Sequence, residues 1–298
     1  MGNADSAPRN PAKAFAFCAL SYVLALAAAL AAGYLSREWN PILMVLLADI
    51  TATLVIYVFS RIFHNASFYD PYWSLAPLVI ALYWILSPGL ENAATARQII
   101  VITLLFIWGL RLTWNWARGW RGLKHEDWRY QDLRKKSGKW FWLVELVGIE
   151  LMPTLMVFLG CLPLYPALAA GENLFGALDF IAVIITAGAI VIEAAADEQL
   201  RKFVRSKPRP GEIMNRGLWA YSRHPNYLGE VTFWWGLFIF GLAADPASWW
   251  TIVGPAAITI LFTCISVPLM DKRNLARRQN YGKHMKKTSA LIPWFHRT

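Results

Sequence analysis

Charged residues are scarce in this sequence. Asp, Glu, Lys and Arg make up 16% of the 298 residues, whereas a soluble globular protein carries about 25%. Hydrophobic residues reach 57%, and they recur in runs close to the ~20 residues that a membrane-spanning helix needs. These features exclude an ordinary soluble enzyme and predict an all-α, polytopic membrane protein.

Cysteine is also rare. Cys18, Cys161 and Cys264 are far apart, and each falls in an apolar run. The sequence has no CxxC pair and no Cys/His spacing of the kind that binds zinc. We therefore expect neither a disulfide framework nor a metal site, and we interpret the cysteines as small apolar packing residues.

Eight apolar runs are candidate membrane spans. They cover residues 14–34, 41–63, 73–90, 98–117, 140–169, 174–196, 225–244 and 249–270. The first run could also be a signal peptide, so we predict seven to eight transmembrane helices. The third is short and carries Pro77, and three prolines in the fifth predict a kink. We expect a disordered N-terminus over residues 1–12 and a single transmembrane domain over residues 13–298.

The basic residues are distributed unevenly between the loops. Of the 29 Lys and Arg residues, 26 fall in segments that share one side of the membrane if eight spans are assumed. Only Arg37 and Arg97 fall in loops on the other side, and Arg111 lies within a span. This asymmetry predicts that both termini and the basic loops are cytoplasmic. The net charge of +10 is thereby explained without a nucleic-acid partner.

The stretch 217–230 reads Gly-Leu-Trp-Ala-Tyr-Ser-Arg-His-Pro-Asn-Tyr-Leu-Gly-Glu and joins a basic loop to an almost uncharged run. Its polar side chains are Tyr221, Arg223, His224, Asn226, Tyr227 and Glu230. Pro225 suits the first turn of a helix, where its missing N–H is not needed. A helix that begins there places Asn226 and Glu230 on one face. Hydrogen-bonding groups at a helix start favour an anionic or amide-bearing ligand.

Other ionisable residues interrupt the apolar runs, where their burial is costly. We interpret three of them as structural groups that pair with each other or stay hydrated: Asp49, Glu145 and Asp179. Asp70 and Arg111 lie beside polar-aromatic clusters at 68–74 and 108–130, and we assign them to function. A buried Arg111 requires an anion, which Asp70, the pair Glu126 and Asp127, or a bound phosphate could supply.

The motif at 217–230, with the later Tyr-Gly and Leu-Ile-Pro-Trp-Phe of the tail, resembles the steroid 5-alpha-reductase superfamily. Asp-Pro-Tyr-Trp-Ser, Trp-Gly-Leu-Arg-Leu and Glu-Asp-Trp-Arg-Tyr are similar to signatures of its bacterial branch. The likeness covers about residues 60–295. Sterol C14/C7 reductases carry a similar Arg-His-x-Asn-Tyr-x-Gly-Asp, and isoprenylcysteine carboxyl methyltransferases carry Arg-His-Pro-Ser-Tyr.

The resemblance implies a membrane reductase that binds NADPH from the cytoplasmic side and reduces a carbon–carbon double bond conjugated to a ketone. It implies cofactor contacts at Glu126, Arg129, Tyr130, Asp197, Arg201, Arg205, Arg216, Tyr221, Arg223, His224, Asn226, Tyr227, Glu230, Asn274 and Tyr281. Within this set, Asn226 and Glu230 would hold the nicotinamide carboxamide. Arg201, Arg205, Arg216 and Arg223 would hold the phosphates. Asn274 stands where the family has a tail tyrosine. The sequence has no G-x-G-x-x-G, so a Rossmann fold is not expected.

The catalytic acid cannot be carried over directly from the family. Animal 5-alpha-reductases place a Gln-Glu pair and a Tyr where this sequence has Asp70-Pro71 and Trp108. We predict Asp70 as the acid, aided by Tyr72 and Arg111, because a low-dielectric site can keep a carboxyl protonated. The expected substrate is a lipid-like enone, such as a 3-oxo-4-ene steroid, which reaches the enzyme from the membrane lipids. We expect the enzyme to be a monomer in a bacterial inner membrane.

Two other functions fit part of the sequence. An S-adenosylmethionine-dependent methyltransferase of the isoprenylcysteine type would share Arg-His-Pro, but Asn226 and Glu230 argue against it. The tail also has Met270-Asp271 in place of the paired Glu that such enzymes often carry. A non-catalytic lipid-binding or transport protein would explain carboxylates in the spans but not the polar motif.

Overall fold

The structure, a computed structural model, describes residues 11–86 and 93–293. The predicted disordered N-terminus, residues 1–12, lies outside the described residues except for its last two positions. Within the described ranges the chain is helical and forms no β-strand, which confirms the all-α prediction. The α-helices are α1 Pro11–Leu35, α2 Pro41–Phe63, α3 Tyr72–Leu86, α4 Thr95–Ala117, α5 Trp128–Ser137, α6 Phe141–Val144, α7 Met152–Cys161, α8 Ala177–Arg205, α9 Leu218–Tyr221, α10 Pro225–Ala244, α11 Val253–Ile260, α12 Val267–Arg277 and α13 Tyr281–Lys287.

Seven helical stretches in the described part of the chain are long and apolar enough to cross a membrane. They are Ala12–Leu35, Pro41–Phe63, Thr95–Ala117, Trp128–Ala170, Ala177–Arg205, Pro225–Ala244 and Pro246–Arg277. The multi-pass architecture is therefore confirmed. The predicted third span is represented by α3, whose 15 residues rise only about 22 Å at 1.5 Å per residue. The predicted end of that span, residues 87–90, lies outside the described ranges.

The predicted fifth span departs from α-helical geometry on both sides of α7. A π-helical segment, Glu145–Leu151, precedes α7, and a second, Pro166–Ala170, follows it. A third π-helical segment, Leu261–Ser266, joins α11 to α12. Proline removes an i→i−4 hydrogen bond, so Pro153 and Pro166 account for irregularity near their own positions.

The chain divides into two compact units. The first comprises residues 1–80 and 109–158, and the second residues 81–108 and 159–298. In the first unit α1 packs along α2. Small residues of α1, including Ala14 and Cys18, face a cluster that contains Ile56, Phe68 and Trp120. Because α1 presents small side chains, the aromatic rings of this cluster fill the space against it.

The second unit is built around the crossing of α8 and α10. Glycines of α10 make this crossing close. A Cβ at Gly229 would lie 2.6 Å from the Cβ of Glu193, and a Cβ at Gly236 would lie 2.1 Å from Oγ1 of Thr186. The motif at 217–230 thus leads into α10, and glycines set the distance between α10 and α8.

Buried ion pairs account for two of the acids that the sequence placed in spans. Asp179 binds the Arg97 guanidinium at 2.7 Å in the second unit. Glu145 binds Arg61 at 2.9 Å in the first unit. The acids pair with arginines rather than with each other. The sequence predicts a loop position for Arg97. The residue lies instead in the first turn of α4, where its side chain is fully buried.

Candidate functional site

The motif at 217–230 folds into a short helix, a turn and the start of α10. Gly217 precedes α9 with φ of 58°, a value that favours glycine. A Cβ there would also collide with Gln199, whose side chain caps the N–H of Leu218. The next helix begins at Pro225, as the sequence predicted.

A buried carboxylate, Asp271 of α12, joins three segments of the second unit. Its Oδ2 accepts a 2.8 Å hydrogen bond from Nη2 of Arg223, and Nε2 of His224 lies 3.0 Å from its Oδ1. The hydroxyl of Tyr281 donates to Oδ1 at 2.6 Å. Charge-assisted bonds of this kind are the strongest in proteins, so the four side chains form one hub. Burial and the adjacent carboxylate raise the pKa of Tyr281, which therefore stays a donor.

The C-terminal segment is attached to the motif by its main chain. The amides of Arg223 and His224 donate to the carbonyls of Ser289 and Ala290, at 2.9 and 3.1 Å. Nη1 of Arg223 also donates to the carbonyls of Met285 and Thr288, at the end of α13. A cation at a helix C-terminus compensates unpaired carbonyl groups. Arg223 therefore ties α12, α13 and the motif together.

A cavity of about 140 Å³ lies beside this hub. Its walls combine apolar and polar side chains: Leu200, Ile213, Met214, Trp219, Arg223, His224, Asn226, Tyr227, Met270, Asn274, Arg278, Tyr281 and His284. The volume is below the ~300–1,000 Å³ of pockets that enclose whole drug-sized ligands. It suits one ring-sized group, with the remainder of a larger ligand outside.

Asn226 lines this cavity and has a side-chain oxygen without a hydrogen-bond donor. Its Oδ1 is buried and accepts no hydrogen bond from any described residue. A buried amide oxygen without a donor costs about 1–3 kcal/mol. A ligand that carries an N–H group into the cavity would remove this cost.

Six of the predicted cofactor residues line the cavity: Arg223, His224, Asn226, Tyr227, Asn274 and Tyr281. The ring of His224 stacks on that of Tyr227 at 5.2 Å. Oδ1 of Asn274 accepts from Arg278 at 2.7 Å. The structure thus brings together four of the predicted residues of the motif and two of the tail.

Glu230 lies deeper, inside α10, and is not part of the cavity wall described here. The indole N–H groups of Trp108 and Trp234 donate to its two carboxylate oxygens, each at 3.0 Å. Trp108 also stacks on Phe233, with ring centroids 4.4 Å apart. Glu230 therefore fixes α4 to α10, and a cofactor contact at this residue stays a prediction.

The predicted basic residues before the motif lie away from the cavity wall. Arg205 and Arg216 are exposed, and Tyr221 is 47% exposed. Arg201 lies 4.0 Å from Glu198 on α8, and Asp197 is half-buried on the same helix. These side chains can meet phosphate groups only outside the cavity.

Three other predicted cofactor residues lie in the first unit and contact acids there. Glu126 pairs with Arg134 at 2.6 Å, and Arg129 pairs with Asp127 at 2.8 Å. The hydroxyl of Tyr130 donates to Oδ1 of Asp70 at 2.7 Å. Arg111 lies half-buried in α4. Its predicted anions Glu126 and Asp127 are engaged by other arginines.

Tyr72, which was predicted to aid Asp70, bonds Asp49. Its hydroxyl donates to Oδ1 of Asp49 at 2.6 Å, and its ring stacks on Tyr69 at 5.2 Å. The hydroxyls of Tyr69 and Thr154 lie 2.8 Å apart. Asp49 is thus part of a polar cluster with Tyr72, although the sequence favoured a purely structural pair or a hydrated position for it.

Sequence reasoning also missed the role of Asp271. The residue was noted only as a departure from a methyltransferase pattern. A signal was present, because Asp271 is the single acid among the basic residues of 271–298 and stands at the end of the last apolar run. One acid beside many cations favours a specific pairing.

A comparison with protein-family models matches residues 56–288 to the family described as Protein of unknown function (DUF1295). The chain belongs to this family. This family is related to steroid 5-alpha-reductase-like membrane proteins. Among curated proteins, the chain is similar to "Uncharacterized protein C594.04c" of the fission yeast Schizosaccharomyces pombe, with 28% identity over 276 residues, which cover 85% of this chain and 80% of the yeast protein. No solved structure matches the chain significantly.

The matched region contains the hub around Asp271 and, in the first unit, Asp70, Tyr72 and Tyr130, but not Asp49. It begins within α2 and ends at Thr288, the residue whose carbonyl accepts from Arg223. The family match therefore covers the four side chains of the hub. The assignment to a bacterial branch stays a prediction.

Proposed function

We propose that the protein is an NADPH-dependent reductase of the carbon–carbon double bond of an enone lipid, with a 3-oxo-4-ene steroid as the leading substrate. The observation that carries the proposal is a ring-sized cavity lined by Asn226, whose buried Oδ1 accepts no hydrogen bond from the described residues. The nicotinamide carboxamide has the N–H group that this oxygen lacks. The resemblance of the motif to steroid 5-alpha-reductases supports the same ligand.

The residues present fit such a cofactor in the second unit. Asn226 would accept from the carboxamide, and the apolar walls, including Trp219 and Met270, would exclude water from the ring. Arg278 lines the cavity, and the exposed Arg205 and Arg216 are available to phosphate groups outside it. When bound, the reduced nicotinamide supplies a hydride to the β-carbon of the enone.

The proposal keeps Asp70, the residue predicted from the sequence, as the acid. A neutral carboxyl of Asp70 would donate a hydrogen bond to the substrate carbonyl and stabilise the charge that develops there. Tyr130, bonded to Asp70, holds the orientation of this carboxyl. The α-carbon would then take a proton from solvent, which completes the addition of one hydride and one proton. The cofactor site is proposed to face the cytoplasm, on the positive-inside argument.

Ligand binding by the detergent-purified full chain tests the proposal. Thermal shift with NADPH, NADH and S-adenosylmethionine should show stabilisation by NADPH above the other two, since binding to the folded state alone raises stability. Asn226→Ala should abolish the shift, and Asn226→Asp, which keeps an acceptor oxygen, should retain part of it. Asn280→Ala is the matched control, because Asn280 is exposed and should leave the shift unchanged.

The remaining outcomes decide against the reductase. Stabilisation by S-adenosylmethionine would assign the chain to the methyltransferases. An equal response of Asn226→Ala and wild type to NADPH would remove the observation on which the proposal rests. No response to any of the three ligands would favour a lipid-binding or transport protein.

A further inference from the structure

We infer that Asp271 is the positioning residue of the cavity, since it holds in place three segments that each contribute cavity walls. The inference rests on the proposed function for its ligand, but its geometry is independent of that ligand. The residue is 5% exposed and does not itself line the cavity. Its influence on a ligand must therefore act through its partners.

Each of the three side chains that bond Asp271 lines the cavity. Arg223 and His224 belong to the motif, three and two residues before Asn226, and Tyr281 begins α13. Asp271 itself lies in α12, which supplies Met270 and Asn274 to the same walls, and Arg278 follows at the end of that helix. One carboxylate thus sets the mutual position of all three wall segments.

The pairing also controls the C-terminal segment. Arg223 is oriented by its bond to Asp271, and the same guanidinium donates to the carbonyls of Met285 and Thr288. The main-chain bonds from residues 223 and 224 to residues 289 and 290 lie directly beside these contacts. Release of Arg223 from Asp271 would therefore loosen the tail where it joins the motif.

An amide at position 271 cannot replace the carboxylate. Oδ2 accepts from Arg223, and Oδ1 accepts from both His224 and Tyr281. Asn has one acceptor oxygen, and its N–H₂ would face a donor. Asp271→Asn keeps the shape of the side chain and removes its charge, so it tests positioning with little change in packed volume.

The experiment measures two properties of full-length Asp271→Asn in detergent. The first is the Kd for NADPH by fluorescence titration of monodisperse protein, which we expect to rise about tenfold or more, because small misplacements of binding groups are costly. The second is hydrogen exchange without ligand. Exchange should speed up at the amides of residues 223 and 224 and across 281–290, and stay unchanged in α4 and α8.

Asp132→Asn is the matched control. Asp132 lies on the surface of α5 in the first unit, and its carboxylate pairs with Lys136. The same change of chemistry there should leave both the Kd and the exchange of 281–290 as in wild type. If Asp271→Asn does not fold, Tyr281→Phe removes a single bond of the hub and keeps the ring, and it should shift both readouts in the same direction by a smaller factor.

The outcomes separate this inference from the proposed function. If wild type does not bind NADPH, the proposed function fails, and the exchange measurement still decides the role of Asp271. Wild-type exchange at 281–290 in Asp271→Asn, or an unchanged Kd, would overturn the inference. Faster exchange throughout the second unit would show a general structural role and would overturn it as well.

Discussion

The hydroxyl of Tyr130 donates a 2.7 Å hydrogen bond to Oδ1 of Asp70, across 60 residues of sequence. Burial raises the pKa of Asp70 to about 6, although Arg129 and Tyr130 act in the opposite direction. This carboxyl is therefore protonated in mildly acidic solution and charged above neutrality. Tyr130 therefore bonds the same carboxyl that must be protonated to act as the donor in the proposed reaction.

The pH dependence of turnover follows from this pKa. The acid form of Asp70 is the proposed donor, so turnover of an enone steroid with saturating NADPH should fall as the pH rises through about 6. Asp70→Asn should lose most turnover and the pH dependence, and it should retain NADPH binding. Turnover that rises through pH 6, or a normal rate in Asp70→Asn, would contradict the assignment.

Stability provides an independent readout of the same group. A folded-state pKa above the unfolded value stabilises the fold below the unfolded pKa, near 4, and that contribution is lost as the pH rises through about 6. In thermal unfolding, the stability of Asp70→Asn relative to that of wild type should therefore be higher at pH 7.5 than at pH 4.5. Asp132→Asn, an exposed change of the same type, should show no such trend.

The bond between Tyr72 and Asp49 predicts a loss of stability in Tyr72→Phe. The change leaves Oδ1 of Asp49 without its 2.6 Å donor, while Oδ2 already accepts no hydrogen bond from the described residues. An unsatisfied buried group costs about 1–3 kcal/mol. Tyr57→Phe is the control, because the Tyr57 hydroxyl bonds Trp142 at an exposed position. Equal losses of unfolding free energy in both variants would contradict the prediction.

The local parts of the fold could be predicted from the sequence. The start of α10 at Pro225 follows from proline chemistry and from the uncharged run after it, and the apolar runs gave six of the seven long spans within a few residues at most ends. The exception is the first half of Trp128–Ala170, where the polar α5 leads into the apolar part. Hydropathy alone gave no sign of α5, which ends at Ser137 before Gly138 with φ of 51°.

The site could be predicted only in part, because its decisive contacts join distant residues. His224 and Asp271 are 47 residues apart, and Trp108 and Glu230 are 122 residues apart. A motif identifies Asn226 and His224 as polar groups at a helix start, but it cannot say which acid meets them. The choice between Asp49 and Asp70 as the partner of Tyr72 depends on how α2 and α3 pack, and hydropathy does not encode that register.

The two indole donors on Glu230 predict a structural effect for Glu230→Gln. Gln keeps one acceptor oxygen, so one of Trp108 and Trp234 would face an N–H₂ group instead of an acceptor. We expect a loss of about 1–3 kcal/mol in unfolding free energy. Tryptophan fluorescence measures the unfolding. The Kd for NADPH of the folded variant separates the two roles, because a change of less than about threefold, roughly 0.7 kcal/mol, would leave Glu230 only the structural one. A tenfold weaker Kd at unchanged stability would instead establish the cofactor contact that the family resemblance implies.

The close crossing of α8 and α10 predicts that Gly236→Ala is strongly destabilising. Its Cβ would lie 2.1 Å from Oγ1 and 3.0 Å from Cβ of Thr186, and Thr186 is fully buried with its hydroxyl bonded to the carbonyl of Ala182. The helices must separate or Thr186 must leave its rotamer, and overpacking of this kind costs about 1–3 kcal/mol.

Gly188→Ala tests whether this loss comes from the contact rather than from the loss of a glycine. Gly188 lies on α8, and a Cβ there meets nothing within 4 Å, so alanine should be neutral or stabilise the helix by up to about 1 kcal/mol. Thermal unfolding of both variants in the same detergent gives the comparison. The double variant Gly236→Ala with Thr186→Ala should recover part of the loss, because it removes the atom that the new methyl group strikes. If Gly236→Ala is as stable as Gly188→Ala, α10 does not approach α8 as closely as described, and the walls of the cavity that α10 carries would shift with it.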